Sequence, residues 1–268
     1  MKKNSLFFCT VLIALSLTAC AYSNKEANEA DQPEAMVSQD LASNTEVPII
    51  IKDRISSDFI FDVAPRFNGI KKTDLDKAKS FSEFIADEHA NRIVEYYALN
   101  VIVLDGDKKT DLRENGTGGD LNEAQIKLLQ ASDYGTNVLI WADYREKSFE
   151  TGELENSTWT PYLSVVPEKQ AIYKKGKVAL IDYLDENSVT ERATIETDKL
   201  KPATISFAVT KKGTIENAKV NGTSGYPLVD KKLIELISNT SGTWMPAENT
   251  EGKKVVQALT IFFGKMGC

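Results

Sequence analysis

The chain has 268 residues, of which 39 are acidic and 32 are basic, and its formal net charge is −7. This acidic balance argues against nucleic acid and anionic lipid surfaces as partners. The length that follows a polar N-terminal stretch is sufficient for two small domains or one large one.

The first twenty residues have the architecture of a secretory signal. Lys2 and Lys3 form a short basic region, and residues 6–17 form an apolar run. That run is too short for a membrane-spanning helix, which needs roughly 20 residues. The run ends in Leu17-Thr18-Ala19-Cys20, which resembles the lipobox of bacterial lipoproteins, where the cysteine is diacylated and becomes the mature N-terminus. The alternative is an ordinary signal peptide with an incidental Cys20, which would give a soluble secreted protein.

Removal of residues 1–19 has two consequences for the mature chain. Loss of Lys2 and Lys3 takes the net charge from −7 to −9. Cys9 leaves with the signal and Cys20 carries lipid, so Cys268 has no intrachain partner and no disulfide framework is expected. Ala21 stands where inner-membrane lipoproteins commonly carry aspartate. We therefore predict a cell-envelope protein that is lipid-anchored to the outer membrane and faces the periplasm.

Residues 20–47 are predicted to be a disordered acidic linker, because Asn, Glu, Asp, Gln and Ser dominate them. Residues 48–158 are predicted to form an N-terminal α+β domain. Its candidate elements are a helical stretch through Ala78, Phe81 and Phe84, a buried strand 99–104, a helix 121–129 and a strand 137–144. The polar stretch 147–159 is the predicted join to a second domain, residues 159–268.

The second domain has a clearer pattern of elements. A short strand 161–167 precedes a helix 175–184, and residues 203–210 and 214–220 form two alternating strands joined by a turn at Lys211-Lys212-Gly213. Tyr226-Pro227 opens a helix, and residues 255–263 alternate again. The predicted order is strand, helix, two strands, helix, strand.

Four motifs in this order resemble the C-terminal domain of TonB and the TonB-like domains of Bacteroidetes envelope proteins. They are Ile205-Ser-Phe-Ala-Val-Thr-Lys-Lys-Gly-Thr-Ile215 with Gly213 in its turn, Ser224-Gly225 before Leu228-Val229-Asp230, Trp244-Met-Pro246-Ala247, and Gly252-Lys253-Lys254-Val255. The resemblance implies an α+β fold in which an antiparallel sheet carries two helices on one face. Gly213, Gly225, Asp230, Trp244, Pro246 and Gly252 are interpreted as structural residues of that fold, with Trp244 in the core.

The resemblance also implies a mode of binding, in which an extended peptide adds to an open sheet edge. We assign this edge to the strand 255–263. Its residues Val255, Leu259, Ile261 and Phe263 are expected to face the helices, and Val256, Ala258, Thr260 and Phe262 are expected to meet the peptide. The predicted function is a non-catalytic envelope lipoprotein that binds a protein or peptide partner, such as an outer-membrane receptor. The alternatives are a component of TonB-dependent transport across the outer membrane and an uncharacterised envelope hydrolase.

An internal repeat is a further prediction. At an offset of 106 positions, Asn115-Gly-Thr-Gly-Gly119 falls on Asn221-Gly-Thr-Ser-Gly225, and Leu99, Val101 and Val103 fall on Ile205, Phe207 and Val209. Residues 109–114, the expected second strand of the first copy, are almost wholly polar. Residues 48–158 would then be a degenerate TonB-like domain.

The sequence contains no convincing catalytic pattern. His89 is the only histidine, and it is expected on a solvated helix face. A His-dependent triad is therefore not expected, and a site of several histidines is impossible. We predict no enzyme activity, no cofactor and no metal site.

Overall fold

Antiparallel strands make up most of the computed structural model, which describes residues 59–265. In chain order the strands are β1 (Phe59–Ala64), β2 (Asn68–Lys71), β3 (Ile93–Asp105), β4 (Lys108–Gly116), β5 (Asn137–Lys147), β6 (Leu154–Trp159), β7 (Tyr162–Val166), β8 (Ile172–Tyr173), β9 (Ala203–Val209), β10 (Ile215–Gly222), β11 (Trp244–Met245), β12 (Ala247–Glu248), β13 (Lys254–Val255) and β14 (Gln257–Lys265). The helices are α1 (Lys72–Lys77), α2 (Asp87–Ala90), α3 (Glu123–Ala131), α4 (Lys177–Asn187), α5 (Val189–Arg192) and α6 (Pro227–Asn239), with a short 3-10 helix at Phe81–Phe84. The predicted α+β class is confirmed. Within residues 59–265, no helix combines the length and the apolar character needed to cross a bilayer.

The first sheet has the strand order β2-β7-β5-β3-β4, and β6 pairs with the second half of β5. β2 and β7 are parallel, whereas the other pairs are antiparallel. One face buries an apolar cluster that includes Phe81, Leu99, Leu129 and Ile140. Helix α3 packs here, and Gln125 donates from Nε2 to the Leu99 carbonyl oxygen at 2.6 Å.

The second sheet has the antiparallel order β1-β14-β9-β10. Helix α6 starts with Pro227 at its first turn and buries residues at helical spacing, Val229, Leu233, Leu236 and Ile237. These side chains pack against the odd-numbered residues of β9 and β14, namely Ile205, Phe207, Val209, Leu259, Ile261 and Phe263. The predicted facing of the last strand is therefore confirmed for its buried residues.

The prediction that the last strand is a free edge is wrong. β14 lies between β9 on one side and β1 on the other, and the β1 register runs from Phe59 opposite Lys265 to Ala64 opposite Thr260. Phe61 and Val63 alternate with polar or exposed neighbours, so β1 is an amphipathic strand that buries one face on the helices. Thr260 is only 3% exposed, because the opposite face of β14 is also largely covered.

The two sheets do not follow the predicted boundary at 158/159. β1 precedes the first sheet in the chain but belongs to the second, and β7 follows the boundary but belongs to the first. Each half of the chain, before and after this boundary, thus contributes one strand to the sheet of the other half. The described residues 59–265 all belong to one compact unit by their internal contacts. Independent folding of the halves stays a prediction, and the exchange is a physical reason against it.

The two halves share one local topology. In the first, β3 pairs with β4 and with β5, and α3 lies between β4 and β5 in the chain. In the second, β9 pairs with β10 and with β14, and α6 lies between β10 and β14 in the chain. The polar residues 109–114 do form strand β4. This likeness supports the repeat, although common descent of the halves stays a prediction.

Candidate functional site

The four residues predicted to meet a peptide are not brought to one binding edge. Val256 precedes β14 and is 44% exposed. Ala258 and Thr260 line a polar cleft between the two sheets, and Phe262 lines a separate apolar groove. Because β14 pairs with β1 as well as with β9 at Thr260 and Phe262, these two residues cannot accept a further strand.

The apolar groove is the larger opening, with a volume of about 780 Å³. Its aromatic residues come from distant parts of the chain, and they are Phe67, Phe84, Trp159, Tyr162 and Phe262. Polar groups in the groove come from Asp62, Arg66 and His89. Asp62 and Ala64 also place strand β1 at the border of the groove. Trp159 is 51% exposed and Tyr162 is 39% exposed. We call this feature the aromatic groove. Apolar concave sites with a few polar groups are the usual form of binding sites.

Arg66 is held in a fixed position at the floor of the aromatic groove. Its Nε donates to Asp107 Oδ1 at 2.9 Å, and its Nη2 donates to the other carboxylate oxygen. The guanidinium carbon lies 5.4 Å from the ring centroid of Phe67 and 5.7 Å from that of Phe262. The Arg66 guanidinium thus lies within cation–π distance of both rings.

His89 contributes to the wall of the groove, which corrects the expectation of a solvated helix face. Its side chain is 16% exposed, and its ring lies edge-on to Trp159 with centroids 5.3 Å apart. His89 Nε2 shares a hydrogen bond of 2.7 Å with the hydroxyl of Tyr144, a residue 55 positions away. Burial raises the pKa of Tyr144 above its ordinary value, with smaller opposing effects from Ser157 and Arg92.

A buried carboxylate supports this wall from behind. Glu146 Oε2 lies 3.2 Å from Arg92 Nη2 and 3.4 Å from His89 Nε2. Within the described part of the chain, neither contact has the angle of a hydrogen bond. The Glu146 side chain is 9% exposed, and the guanidinium of Arg92 is the neighbouring positive charge that balances it. The cluster holds the His89 ring against Trp159.

β1 borders the aromatic groove and is the outermost strand of the second sheet. The Val63 amide donates to the Oδ1 atom of Asp62 at 2.8 Å, so this amide points away from β14. Lys177 Nζ, at the start of α4, lies 2.6 Å from the same carboxylate oxygen. The outer edge of β1 is thus covered at Val63 by one side chain and its ion pair.

The motif residues lie in turns and in the core of the second half. Gly213 and Gly252 have φ of 75° and 71°, and a Cβ on Gly213 would lie 2.3 Å from the Trp244 carbonyl oxygen. Trp244 is 3% exposed, packs on Tyr173 and Phe207, and donates from Nε1 to Thr240 Oγ1 at 2.9 Å.

The turn before α6 is fixed by Asp230. Its carboxylate accepts from Thr223 Oγ1 at 2.5 Å and from the Ser224 amide at 3.0 Å. Gly225 in this turn has a φ of 86°, and Pro246 lies half-buried between β11 and β12. These side chains contact the protein itself and lie outside both openings. Cys20, the predicted lipidation site, lies outside the described residues, as does Cys268.

The sequence pattern missed the groove because its residues share no local spacing. A weak signal was present in Trp159-Thr-Pro-Tyr162, where two aromatic residues flank the join between the halves. Comparison of the chain with protein-family models, with curated proteins and with solved structures finds no significant match.

Proposed function

We propose that this chain is a non-catalytic envelope lipoprotein that binds an extended segment of a partner protein along β1. The observation that carries the proposal is that β1 is the outermost strand of the second sheet and that its residues Asp62 and Ala64 line the aromatic groove. An added strand would place alternate side chains in that groove, so the backbone would supply affinity and the groove would supply selectivity. Cys20 would hold the protein to the outer membrane through its lipid, on the periplasmic side.

The fold supports the resemblance to TonB-like domains in a limited way. The second sheet carries α4 and α6 on one face, as that family implies. The edge that would accept a peptide is not β14, as the sequence predicted, because β1 already pairs with the free side of β14. We therefore assign strand addition to β1 and no longer to residues 256–262.

The opposite edge of the second sheet is less suitable for strand addition. β10 has register shifts between Glu216 and Lys219 and between Val220 and Gly222. Such bulges twist an edge and interrupt its hydrogen-bonding row, a common way to prevent strand addition. β1 pairs with β14 over all six of its residues with no shift in register.

The test uses the purified protein and a display library of random linear peptides. We expect selected peptides to carry large apolar residues at every second position, because alternate side chains of a strand share one face. Trp159→Ala should weaken their binding by about tenfold or more, since buried aromatic anchors dominate interface energies. Leu112→Ala is the control, as Leu112 is 58% exposed on β4 and does not line the groove.

Peptide methylation tests the backbone part of the proposal. Only every second amide of an added strand bonds to β1, so N-methylation should abolish binding at alternate positions and be tolerated between them. Asp62→Ala should strengthen binding, because it frees the Val63 amide, whereas Lys177→Ala should leave the Asp62 contact in place and change little. Equal tolerance of methylation at all positions would rule out strand addition at this edge.

A further inference from the structure

A second opening lies between the two sheets, on the face of the second sheet that is opposite its helices. Its volume is about 350 Å³, near the lower end of the roughly 300–1,000 Å³ typical of ligand pockets. One wall comes from β9, β10 and β14, and the other from the β3–β4 turn and the start of β5. We call it the polar cleft. The proposed function does not use it.

Small residues keep the polar cleft open. Ala208 and Ala258 lie on one wall, and Gly106 and Gly135 lie on the other. A Cβ on Gly135 would lie 3.3 Å from Ala258 Cβ, so a larger residue at position 135 would narrow the cleft.

Several polar groups that line the cleft have unused hydrogen-bonding capacity. Thr260 is 3% exposed, and its hydroxyl makes no hydrogen bond to any part of residues 59–265. Asn137 Oδ1 accepts from Ser164 at 2.6 Å, and Asn221 Oδ1 accepts from Ser206 at 3.3 Å. Both amide oxygens are therefore engaged, while the two NH₂ groups remain as donors. Donors of this kind suit a carboxylate.

The edge strand β10 is distorted where it borders the cleft. Asn217 has a φ of 56°, which is unusual for a residue with a side chain, and the register shifts between Glu216 and Lys219. A bulge re-aims side chains and is often found next to functional sites. Asn217, Lys219 and Asn221 all line the cleft as a result.

Opposite charges face the cleft from its two walls. Lys219 stands on β10 and Asp105 at the end of β3, and within residues 59–265 neither forms an ion pair. Arg66 also lines the cleft, but its guanidinium is committed to Asp107. A ligand with one positive and one negative end would satisfy Lys219 and Asp105 together.

We propose that the polar cleft binds a small zwitterion, namely an amino acid or a short peptide with both ends free. Lys219 and the amide of Asn221 hold its carboxylate, and Asp105 on the opposite wall holds its ammonium group. Thr260 supplies a hydrogen bond at the floor. The proposal stands independently of strand addition at β1.

The test titrates the isotopically labelled full chain with blocked and unblocked glycine peptides and follows amide chemical shifts. Triglycine, N-acetyl-triglycine, triglycine amide and N-acetyl-triglycine amide separate the two end charges. We expect triglycine to shift the signals of Asn217, Lys219 and Thr260 and to bind at least about tenfold more tightly than the doubly blocked peptide, a difference of about 1.4 kcal/mol. Glycine and diglycine then report the length that fits.

Matched variants assign each charge. Lys219→Gln should remove the advantage of a free carboxylate and keep that of a free amine, and Asp105→Asn should do the reverse. Lys212→Gln and Asp111→Asn make the same charge changes at exposed sites outside the cleft and should alter neither. Equal binding of all four peptides, or no shift at these residues up to about 10 mM, a concentration that corresponds to roughly 3 kcal/mol, would overturn the proposal.

Discussion

Phe61 on β1 and Phe263 on β14 are register partners on adjacent strands of the second sheet, with ring centroids 4.9 Å apart. Both are buried, with exposures of 6% and 2%. The Arg192 guanidinium lies 5.5 Å above the Phe61 ring, so α5 covers the pair. The first and the last strand of the described residues, β1 and β14, thus contribute to the same apolar core.

Phe61→Ala should lower the free energy of unfolding by about 3–5 kcal/mol, because it leaves a cavity beside Phe263. Ile60→Ala is the matched control on the same strand. Ile60 is 44% exposed, so its change should stay within about 0.5 kcal/mol. Urea denaturation of both variants measures the difference. Similar losses of unfolding free energy in the two variants would contradict the finding that Phe61 faces the core and Ile60 faces away from it.

A cut in the β5–β6 hairpin should leave the two fragments bound to each other. Phe149 at its tip is 86% exposed and is an accessible site for chymotrypsin. The cut leaves β1 and β5 on the first fragment and β7 and β14 on the second. The pairs β1–β14 and β5–β7 then hold the two fragments together. Size-exclusion chromatography should show one peak in native buffer and two in denaturant. Two native peaks would favour independently folding halves.

Gly213→Ala should be far more costly than Gly252→Ala. Both glycines have positive φ, which costs a residue with a side chain about 1–2 kcal/mol. Only at Gly213 would the new Cβ collide with a backbone atom, the Trp244 carbonyl oxygen at 2.3 Å. We expect a loss above about 3 kcal/mol there, because overpacking adds about 1–3 kcal/mol. Thermal denaturation compares the two; equal losses would show that the turn relaxes.

The stability of the protein should fall in alkali. Burial raises the pKa of Tyr144, and also that of Tyr96 and Tyr134, above the ordinary value of 10.0. A raised pKa in the folded state means that stability is complete below about pH 10 and is lost as the pH rises through the higher folded value. Tyr144→Phe should flatten this decline between about pH 9 and 12.

The melting temperature followed by circular dichroism across this range measures the effect. Tyr97→Phe, at a side chain that is 43% exposed, is the control. If Tyr144→Phe declines as steeply as the parent protein, the buried hydroxyl does not control alkaline stability. A smaller residual decline is expected, since Tyr96 and Tyr134 remain.

Cys20→Ser should prevent lipidation, because the lipobox interpretation makes this thiol the acylated group. The altered protein should no longer incorporate a labelled fatty-acid analogue in growing cells, and it should leave the membrane fraction or stay unprocessed. Cys9→Ser is the control, since Cys9 lies within the apolar run and is expected to be removed with the signal. Label in the Cys20→Ser protein would place the anchor elsewhere.

Local patterns predicted the elements of the second half well. The alternation of Ile205, Phe207 and Val209 and the helical spacing of Val229, Leu233 and Ile237 report which face of each element is buried, and these side chains are buried as expected. The buried face of Ile261 was also predicted. Such patterns depend on residues a few positions apart.

Neighbours that are distant in sequence were not predictable in the same way. Alternation in residues 59–64 indicates an amphipathic strand but does not specify that its partner is β14, some 200 positions away. Thr260 was expected to face a partner peptide, yet the facing wall of the polar cleft covers it. His89 meets Tyr144 and Trp159 only after three separate segments have come together.

The pairing of Phe59 with Lys265 joins the two ends of the described chain. Pairing between residues so far apart in sequence is slow to form, because the entropy of closing the loop must be lost before the contacts stabilise it. Synthesis delivers β1 some 200 residues before β14, so β1 waits without its partner until β14 has been made. The apolar face of that waiting strand is exposed to aggregation during this interval. We therefore expect the yield of folded protein to depend on how quickly the last strand arrives, and a chain lacking residues 257–265 to accumulate as aggregate.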